Sequence, residues 1–397
     1  MFRPGLIVPP KLQRDISRDR RVTWLELFFD LIYVVAIGRV SVALEQGHDW
    51  AAVAKTAVIF VAVWWAWVGQ TFYLARFDSD DLIHRIVTMI QMFAVAAMAI
   101  AIPHAVAEGS STFVIAYCCV RLVLILEYFR AAYHIPESRP LALHYGLGFT
   151  LAAGIWLASL AFEPSIRCLV WIVALFVDYG TPLTARGIAQ RFPPHLTHLP
   201  ERFGLFTLIV IGESVAGVVL GLQSGGLSST AILCGALAWI GAFSIWWCYF
   251  DGIRGAEARG MGNRLEARQF QRWMYYHLPL TFGIVVAAVE VNRGVAMTDG
   301  ASFTLLEGWV FVAGSWIAMT AMNLISRTDP LYLCDDSIKK YLIPHNVVCA
   351  IAPFAGLLTP FLPAYGLIGV VTLLWLAHVV LTLRVRPGGE EGPEIAG

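Results

Sequence analysis

Glu26 and Asp30 stand four residues apart in an apolar run, so a helix places both on one face. At a rise of about 1.5 Å per residue, Asp30 falls roughly 12 Å inside the end of that run. Glu213 comes ten residues after Phe203 in a second apolar run, a depth of roughly 15 Å on the same rise and near the midplane of a bilayer. Burying a carboxylate in hydrocarbon favours its protonated form, which suits reversible protonation or cation binding near neutral pH. The competing chemistry is an ion pair that only ties helices together. Glu26 lies close to Arg18, Arg20 and Arg21 in sequence, and pairing is its stronger reading. Both readings stand for Asp30, and the functional one is favoured for Glu213. Arg39, near the far end of the first run, can snorkel.

Arg121 and Glu127 are six residues apart and do not share a helical face, so Arg121 needs a partner from another helix, Glu213 or Asp178. Asp178 lies in Phe176-Val177-Asp178-Tyr179-Gly180-Thr181-Pro182, where glycine and proline are expected to loosen the helix. Unwound backbone beside a carboxylate coordinates cations in several transporters, and it is also what an ordinary kinked helix end looks like. Glu290 and Glu307 are expected near the outer surface, solvated. His195 and His198 are three apart, but Pro193, Pro194 and Pro200 argue against a helix there. His84, His144, His277 and His378 fall singly across apolar runs, without an H-x-x-x-H pattern or a companion cysteine, so no metal site is expected. No G-x-S-x-G, P-loop or G-x-G-x-x-G occurs, which disfavours ATP-driven transport by this chain; no catalytic residue and no cofactor is assigned.

The elements that must position these groups follow from composition. Hydrophobic residues make up 58% of the 397 and charged residues only 14%, where a soluble domain carries about 25%. Net charge is zero, so nothing points to nucleic acid. A hydrocarbon core needs roughly 20 apolar residues per helix. That ruler finds spans near 22–44, 52–75, 83–107, 112–133, 140–162, 165–186, 203–223, 229–250, 271–292, 303–325, 341–361 and 364–384. The weakest are 271–292, with Pro279, and 341–361, with Pro353 and Pro360. The expected fold is an all-α polytopic membrane protein of about twelve transmembrane helices.

With a cytoplasmic N-terminus, all but five of the 28 lysines and arginines fall in inside segments. Lys55, Arg167 and Arg293 lie outside, and Arg39 and Arg121 within spans. This bias places both termini in the cytoplasm. The organisation is a basic segment over 1–21, a six-helix half over 22–187, a linker over 188–202, a second half over 203–384 and a tail over 385–397. No cleavable leader is read at the N-terminus. The seven cysteines are mostly intramembrane (Cys118, Cys119, Cys168, Cys234, Cys248, Cys349), with Cys334 in a loop, and suggest neither disulfides nor zinc. The 14 tryptophans read as interface anchors.

The halves look duplicated. One opens with Glu26-Leu27-Phe28-Phe29-Asp30 and the other with Glu201-Arg202-Phe203-Gly204-Leu205-Phe206-Thr207; the next helix of each ends in a tryptophan pair, Trp64-Trp65 and Trp246-Trp247. Acidic loops follow both pairs, with Asp78, Asp80 and Asp81 or with Asp251 and Glu257. Six helices per half make the repeats parallel, with a pathway expected along their axis beside the opening helices.

The stretch from Trp24 through Asp30 to Ala36 resembles the bacterial low temperature requirement protein A family, and Glu201 through Arg202 and Gly212 to Glu213 resembles that family's second signature. The resemblance covers nearly the whole chain and implies a multi-pass protein of the bacterial inner membrane, tied to growth in the cold; it implies no substrate. The Phe28-Phe29-Asp30 start is also similar to the F-S-D opening of the repeats of certain potassium channels. The second half departs from that pattern, with Thr207 where a carboxylate is expected and Glu213 six residues later, which counts against a symmetric pore. The leading expectation is membrane transport, by a secondary transporter or a cation or proton pathway near Asp30 and Glu213. The alternatives are an intramembrane enzyme acting on lipid or a small apolar substrate, for which His84 and His277 leave an opening, and a structural or sensory membrane protein. The partners expected are the lipid bilayer and a small ion or solute, with assembly into a homo-oligomer left open.

Overall fold

A computed structural model describes residues 9–13, 22–47, 49–78, 81–108, 110–195, 198–252, 264–297, 300–329 and 336–383. Arg3, Arg14, Arg18, Arg20, Arg21, Asp80, Arg254, Glu257, Cys334 and the 385–397 tail lie outside the described residues. The described chain is almost wholly helical, and twelve of its helices are long and apolar enough to cross a membrane. Each of the twelve overlaps one expected span.

Contacts divide the chain into two units, Met1–Phe206 and Thr207–Gly397. The first contains α1 (Trp24–Glu45), α2 (Trp50–Arg76), α3 (Leu82–Glu108), α4 (Ser111–His134), α5 (Arg139–Ala158), α6 (Pro164–Thr184), the short α7 (Arg186–Ala189) and the opening turns of α8 (His198–Gly225). A two-residue strand β1 (Lys11–Leu12) pairs antiparallel with β2 (Phe77–Asp78) and holds the segment before α1 to the end of α2. Thr23 opens α1 with a capping box, its side chain accepting from the Glu26 amide while the Glu26 carboxylate accepts from the Thr23 amide.

The helix α2 is the hub of the first unit. A helix apolar on every face must be buried rather than amphipathic. From Ala62 to Thr71 every residue of α2 is buried, including Trp64, Trp65 and Trp67. Trp24 and Trp50 are exposed at the starts of α1 and α2, but the reading of the tryptophans as interface anchors fails for Trp64, Trp65, Trp67, Trp156, Trp171 and Trp273, which are among the most deeply enclosed side chains. They stack on partners such as Tyr179 (3.8 Å between centroids, on Trp65) and Phe206 (4.2 Å, on Trp67), because packed rings gain contact that a headgroup region does not supply. Trp246 and Trp247 are only partly buried, so the two tryptophan pairs sit in different surroundings.

The second unit contains the rest of α8 with α9 (Ser229–Trp247), α10 (Arg264–Ala296), α11 (Leu305–Ser326), α12 (Asp336–Ile351) and α13 (Ala364–Thr382). Its closest packing joins α10 to α11. A Cβ on Gly283 would lie 2.5 Å from the Gly314 carbonyl oxygen, and one on Gly314 would lie 2.8 Å from the Ala287 amide nitrogen. Small residues let two backbones approach in this way, as in other membrane bundles. Gly283→Leu is expected to force the helices apart and lower stability by about 1–3 kcal/mol; a thermal-melting comparison in detergent with Gly154→Leu, which meets nothing within 4 Å, checks it.

Several boundaries differ from expectation, α12 among them, which runs over Asp336–Ile351 rather than 341–361. The helix α8 begins at His198, inside the expected linker, because Pro200 occupies its first turn, where a missing N–H costs nothing. The helix α10 runs from Arg264, well before 271, and carries Pro279 internally. The helix α6 also continues through Pro182 to Thr184, so the loosened backbone expected beside Asp178 is absent; proline leaves only the Asp178 carbonyl without its helical donor.

Candidate functional site

The early turns of α1 and α8 set the site. Glu26 and Asp30 are an i, i+4 pair on α1, and His198 and Arg202 are an i, i+4 pair on α8. The two pairs meet as rungs. His198 Nε2 lies 3.1 Å from the Glu26 carboxylate, and the Arg202 guanidinium makes a two-pronged contact with Asp30 through Nη2 and Nε. Both rungs span 172 residues of sequence, so the two helix starts run in the same direction and in register. All four side chains are buried, Asp30 and Arg202 completely. Trp67 Nε1 donates to Asp30 Oδ1 at 2.7 Å, and its ring lies 5.9 Å from the guanidinium carbon of Arg202. Phe203 meets Trp64 and Trp67 edge-on, which fixes the first turns of α8 against α2.

A second ion pair lies deeper among α4 and α6. Arg121 Nη2 donates to Asp178 Oδ1 at 2.6 Å, and the Tyr117 hydroxyl donates to Asp178 Oδ2 at 3.2 Å. The Arg121 guanidinium lies over the Phe149 ring at 4.4 Å, and its Nη1 fits against the bare Cα of Gly69, where a Cβ would come within 3.0 Å. Tyr33, one helical turn beyond Asp30, lies within electrostatic reach of both pairs: Asp30 and Arg202 on one side, Arg121 on the other. Its buried hydroxyl has no hydrogen-bond partner among the described residues, nor have Arg202 Nη1, Arg121 Nε and Arg121 Nη1.

A third set fills the first unit between α2, α3 and α4. Gln70 Nε2 donates to Glu127 at 2.8 Å, Gln91 Nε2 donates to Gln70 Oε1 at 3.1 Å, and His84 Nδ1 stands 3.6 Å from Glu127. Asp81 caps the start of α3 through the His84 amide and pairs with Arg130 at 3.0 Å.

The structure therefore brings together Glu26, Asp30 and Arg202, and pairs Arg121 with Asp178, one of its two expected partners. Arg202, counted at first among the loop charges, is an interior residue. Glu26 meets His198 on α8, and the arginines near it in sequence, Arg18, Arg20 and Arg21, lie outside the described residues. Glu213 is half-buried in the second unit, with no ion-pair partner among the described residues. Thr207 is fully buried and Gly212 exposed; Phe29 is buried and Phe28 exposed; Glu201 is exposed. Glu290 is buried rather than solvated, because Arg293 at 3.6 Å draws it inward and also reaches Glu307 at 3.3 Å. His277 is held by the Tyr249 hydroxyl at 2.8 Å.

Sequence reasoning missed Gln70, Gln91, Trp67 and Tyr33 as polar neighbours of the carboxylates, and missed that His345 and His378 meet, with Nδ1 atoms 2.9 Å apart. Two glutamines and two histidines in apolar spans were the available signals. Among the described residues no group of three or more metal-ligating side chains converges.

Comparison with known proteins bears on the same stretches. The uncharacterized protein RA0937 of Rhizobium meliloti (strain 1021) is 27% identical over 303 residues, covering 72% of each chain. No solved structure matches. The family model described as bacterial low temperature requirement A protein (LtrA) matches residues 21–384, which takes in the Glu26–Asp30 rungs, their partners on α8 and both buried ion pairs. This multi-pass membrane protein belongs to the bacterial low temperature requirement A family.

Proposed function

We infer that the chain is a membrane transport protein for a small ion or solute, seated in the bacterial inner membrane with both termini in the cytoplasm. The observation that carries this reading is the pair of fully buried salt bridges, Asp30–Arg202 and Arg121–Asp178, with donors around Tyr33 that meet no acceptor among the described residues. Ionisable groups inside a membrane cost about 2.5–3.5 kcal/mol each on insertion scales, and they concentrate on substrate and ion pathways. Asp30 is not a bare cation site, because a guanidinium and an indole N–H already occupy its oxygens. It acts instead by exchanging Arg202 for a proton or a solute, so that the α1 and α8 starts separate and rejoin. Glu213 is the second candidate on the pathway, within the second unit.

The test is ion flux in proteoliposomes under imposed proton and potassium gradients, comparing wild type with Asp30→Asn and Glu213→Gln. Flux that falls to the empty-liposome level in a folded, monodisperse Asp30→Asn protein supports the reading. Equal flux in wild type and Asp30→Asn removes Asp30 from it, and the absence of wild-type flux under every gradient removes ion conduction. An intramembrane enzyme acting on lipid is the second reading, and the His198–Glu26 and His84–Glu127 contacts favour it, since both join a histidine to a carboxylate. Lipid turnover by the same liposomes, lost in His198→Gln, would move the weight there.

A further inference from the structure

The second unit holds a polar chain that the reading above does not use. His378, on α13, is buried with both ring nitrogens occupied: Nδ1 lies 2.9 Å from His345 Nδ1 on α12, and Nε2 lies 3.8 Å from Cys349 Sγ. Asn323 Nδ2 on α11 donates to Cys349 Sγ at 3.2 Å. The far nitrogen of His345, Nε2, is buried and has no partner among the described residues. The Tyr341 ring packs 5.2 Å from His345 and the Trp375 ring 6.0 Å from His378, so the chain is walled by aromatics.

The distances restrict where protons sit. Two Nδ1 atoms at 2.9 Å need one proton between them, because two bare nitrogens repel and two N–H groups collide. Two neutral arrangements satisfy this. In one, the Cys349 thiol donates to His378 Nε2, His378 Nδ1–H donates to His345 Nδ1, and His345 carries its proton on Nε2. In the other, His345 Nδ1–H donates to His378 Nδ1, and His378 Nε2–H points at the sulfur.

We propose that Cys349, His378 and His345 form an intramembrane proton relay, a proton-handling site in the second unit separate from the ion pairs of the first. Starting from the first arrangement, the thiol proton moves to His378 Nε2 as the His378 Nδ1 proton moves to His345 Nδ1. That leaves a Cys349 thiolate and a His345 imidazolium, with the Asn323 amide donating to the thiolate. Loss of the His345 Nε2 proton to water, and return of a proton from water to the sulfur, gives the second arrangement. One proton has then entered at Cys349 and one has left at His345, with no net change in charge.

Few other ionisable groups face the relay. Arg327, capping the end of α11, acts electrostatically on Cys349 while donating to Asn346 at 2.9 Å, and Tyr341 belongs to α12 itself. The helix α9 and the 352–358 turn hold no Asp, Glu, Lys or Arg, and α13 holds none either. On α10, His277 is taken by Tyr249 and by the Trp273 carbonyl, and Glu290 by Arg293. Asp251, after α9, is exposed.

The experiment is solid-state NMR on the full chain in lipid bilayers with 15N-labelled histidine, the His345 signals being assigned by their loss in His345→Asn. The expected result is one proton coupled to both Nδ1 nitrogens, each ring exchanging between two tautomers. Cys349→Ala is expected to collapse the His378 tautomers to one, and Cys349→Ser to retain the exchange. Two rings with no shared proton in wild type, a measurement that needs no variant, overturn the site. A shared proton whose tautomers ignore Cys349→Ala overturns the relay.

Discussion

Arg202→Met is expected to lower stability by about 3–5 kcal/mol, the usual result of stranding a buried charge without its partner. Asp30 is fully buried, and after the substitution its carboxylate keeps only the Trp67 N–H and the helix around it. An ordinary interhelical hydrogen bond in a membrane contributes only about 0.6 kcal/mol on average, so the uncompensated charge dominates the outcome. Trp67→Phe, which removes one hydrogen bond to a charged acceptor, is expected to cost less, about 1.5–3 kcal/mol. The double variant Asp30→Leu/Arg202→Met is expected to recover most of the loss, since apolar residues of similar volume often replace a buried pair without penalty. Thermal melting of the detergent-solubilised protein reads all three. If the double variant is no more stable than Arg202→Met, the unpaired carboxylate is not the cause and the pairing argument fails. If it melts like wild type but carries no flux, the pair is retained for function rather than for the fold.

The helices were legible from the sequence because their signal is local: a run of about 20 apolar residues is a property of the run alone. The Glu26–Asp30 face was legible for the same reason, since i, i+4 spacing needs only one helix. What faces it was not. His198 and Arg202 lie 172 residues away and carry the signature of a polar linker, prolines and charges, until Pro200 is recognised as a residue suited to a helix's first turn. Trp67 and Tyr33 look like any aromatic residue in an apolar span, and only packing decides which ring turns an N–H or O–H toward a carboxylate. The choice of Asp178 over Glu213 for Arg121 rests on which helices adjoin, a tertiary fact. The His345–His378 contact joins residues 33 apart on two helices, and His378 read singly in its apolar run gives no sign of it.

The Arg121–Asp178 pair is the sharper test of what the buried charges do, because its components separate cleanly. Arg121→Met leaves Asp178 with the Tyr117 hydroxyl alone and is expected to cost about 3–5 kcal/mol. Arg121→Lys keeps the charge but not the planar fork, which at once reaches Asp178 and lies flat over Phe149, so partial rescue is expected. Phe149→Leu removes the ring beneath the guanidinium, a contact worth about 2 kcal/mol when desolvated, together with its packing on Tyr128 and Tyr145, and Tyr117→Phe removes one hydrogen bond to the carboxylate. The expected order of damage is therefore Arg121→Met, then Arg121→Lys, then the Phe149 and Tyr117 variants together. A double-mutant cycle with Asp178→Leu isolates the pair itself: removing both charges should cost less than removing Arg121 alone, because a guanidinium and a carboxylate at 2.6 Å are each harmful only without the other. Additive losses would mean that each residue contributes through independent packing and that the ion pair is incidental. Because Tyr33 lies in the field of this pair and of Asp30–Arg202, a change in flux from Arg121→Lys in a protein that still melts near wild type would tie the two pairs into one working network.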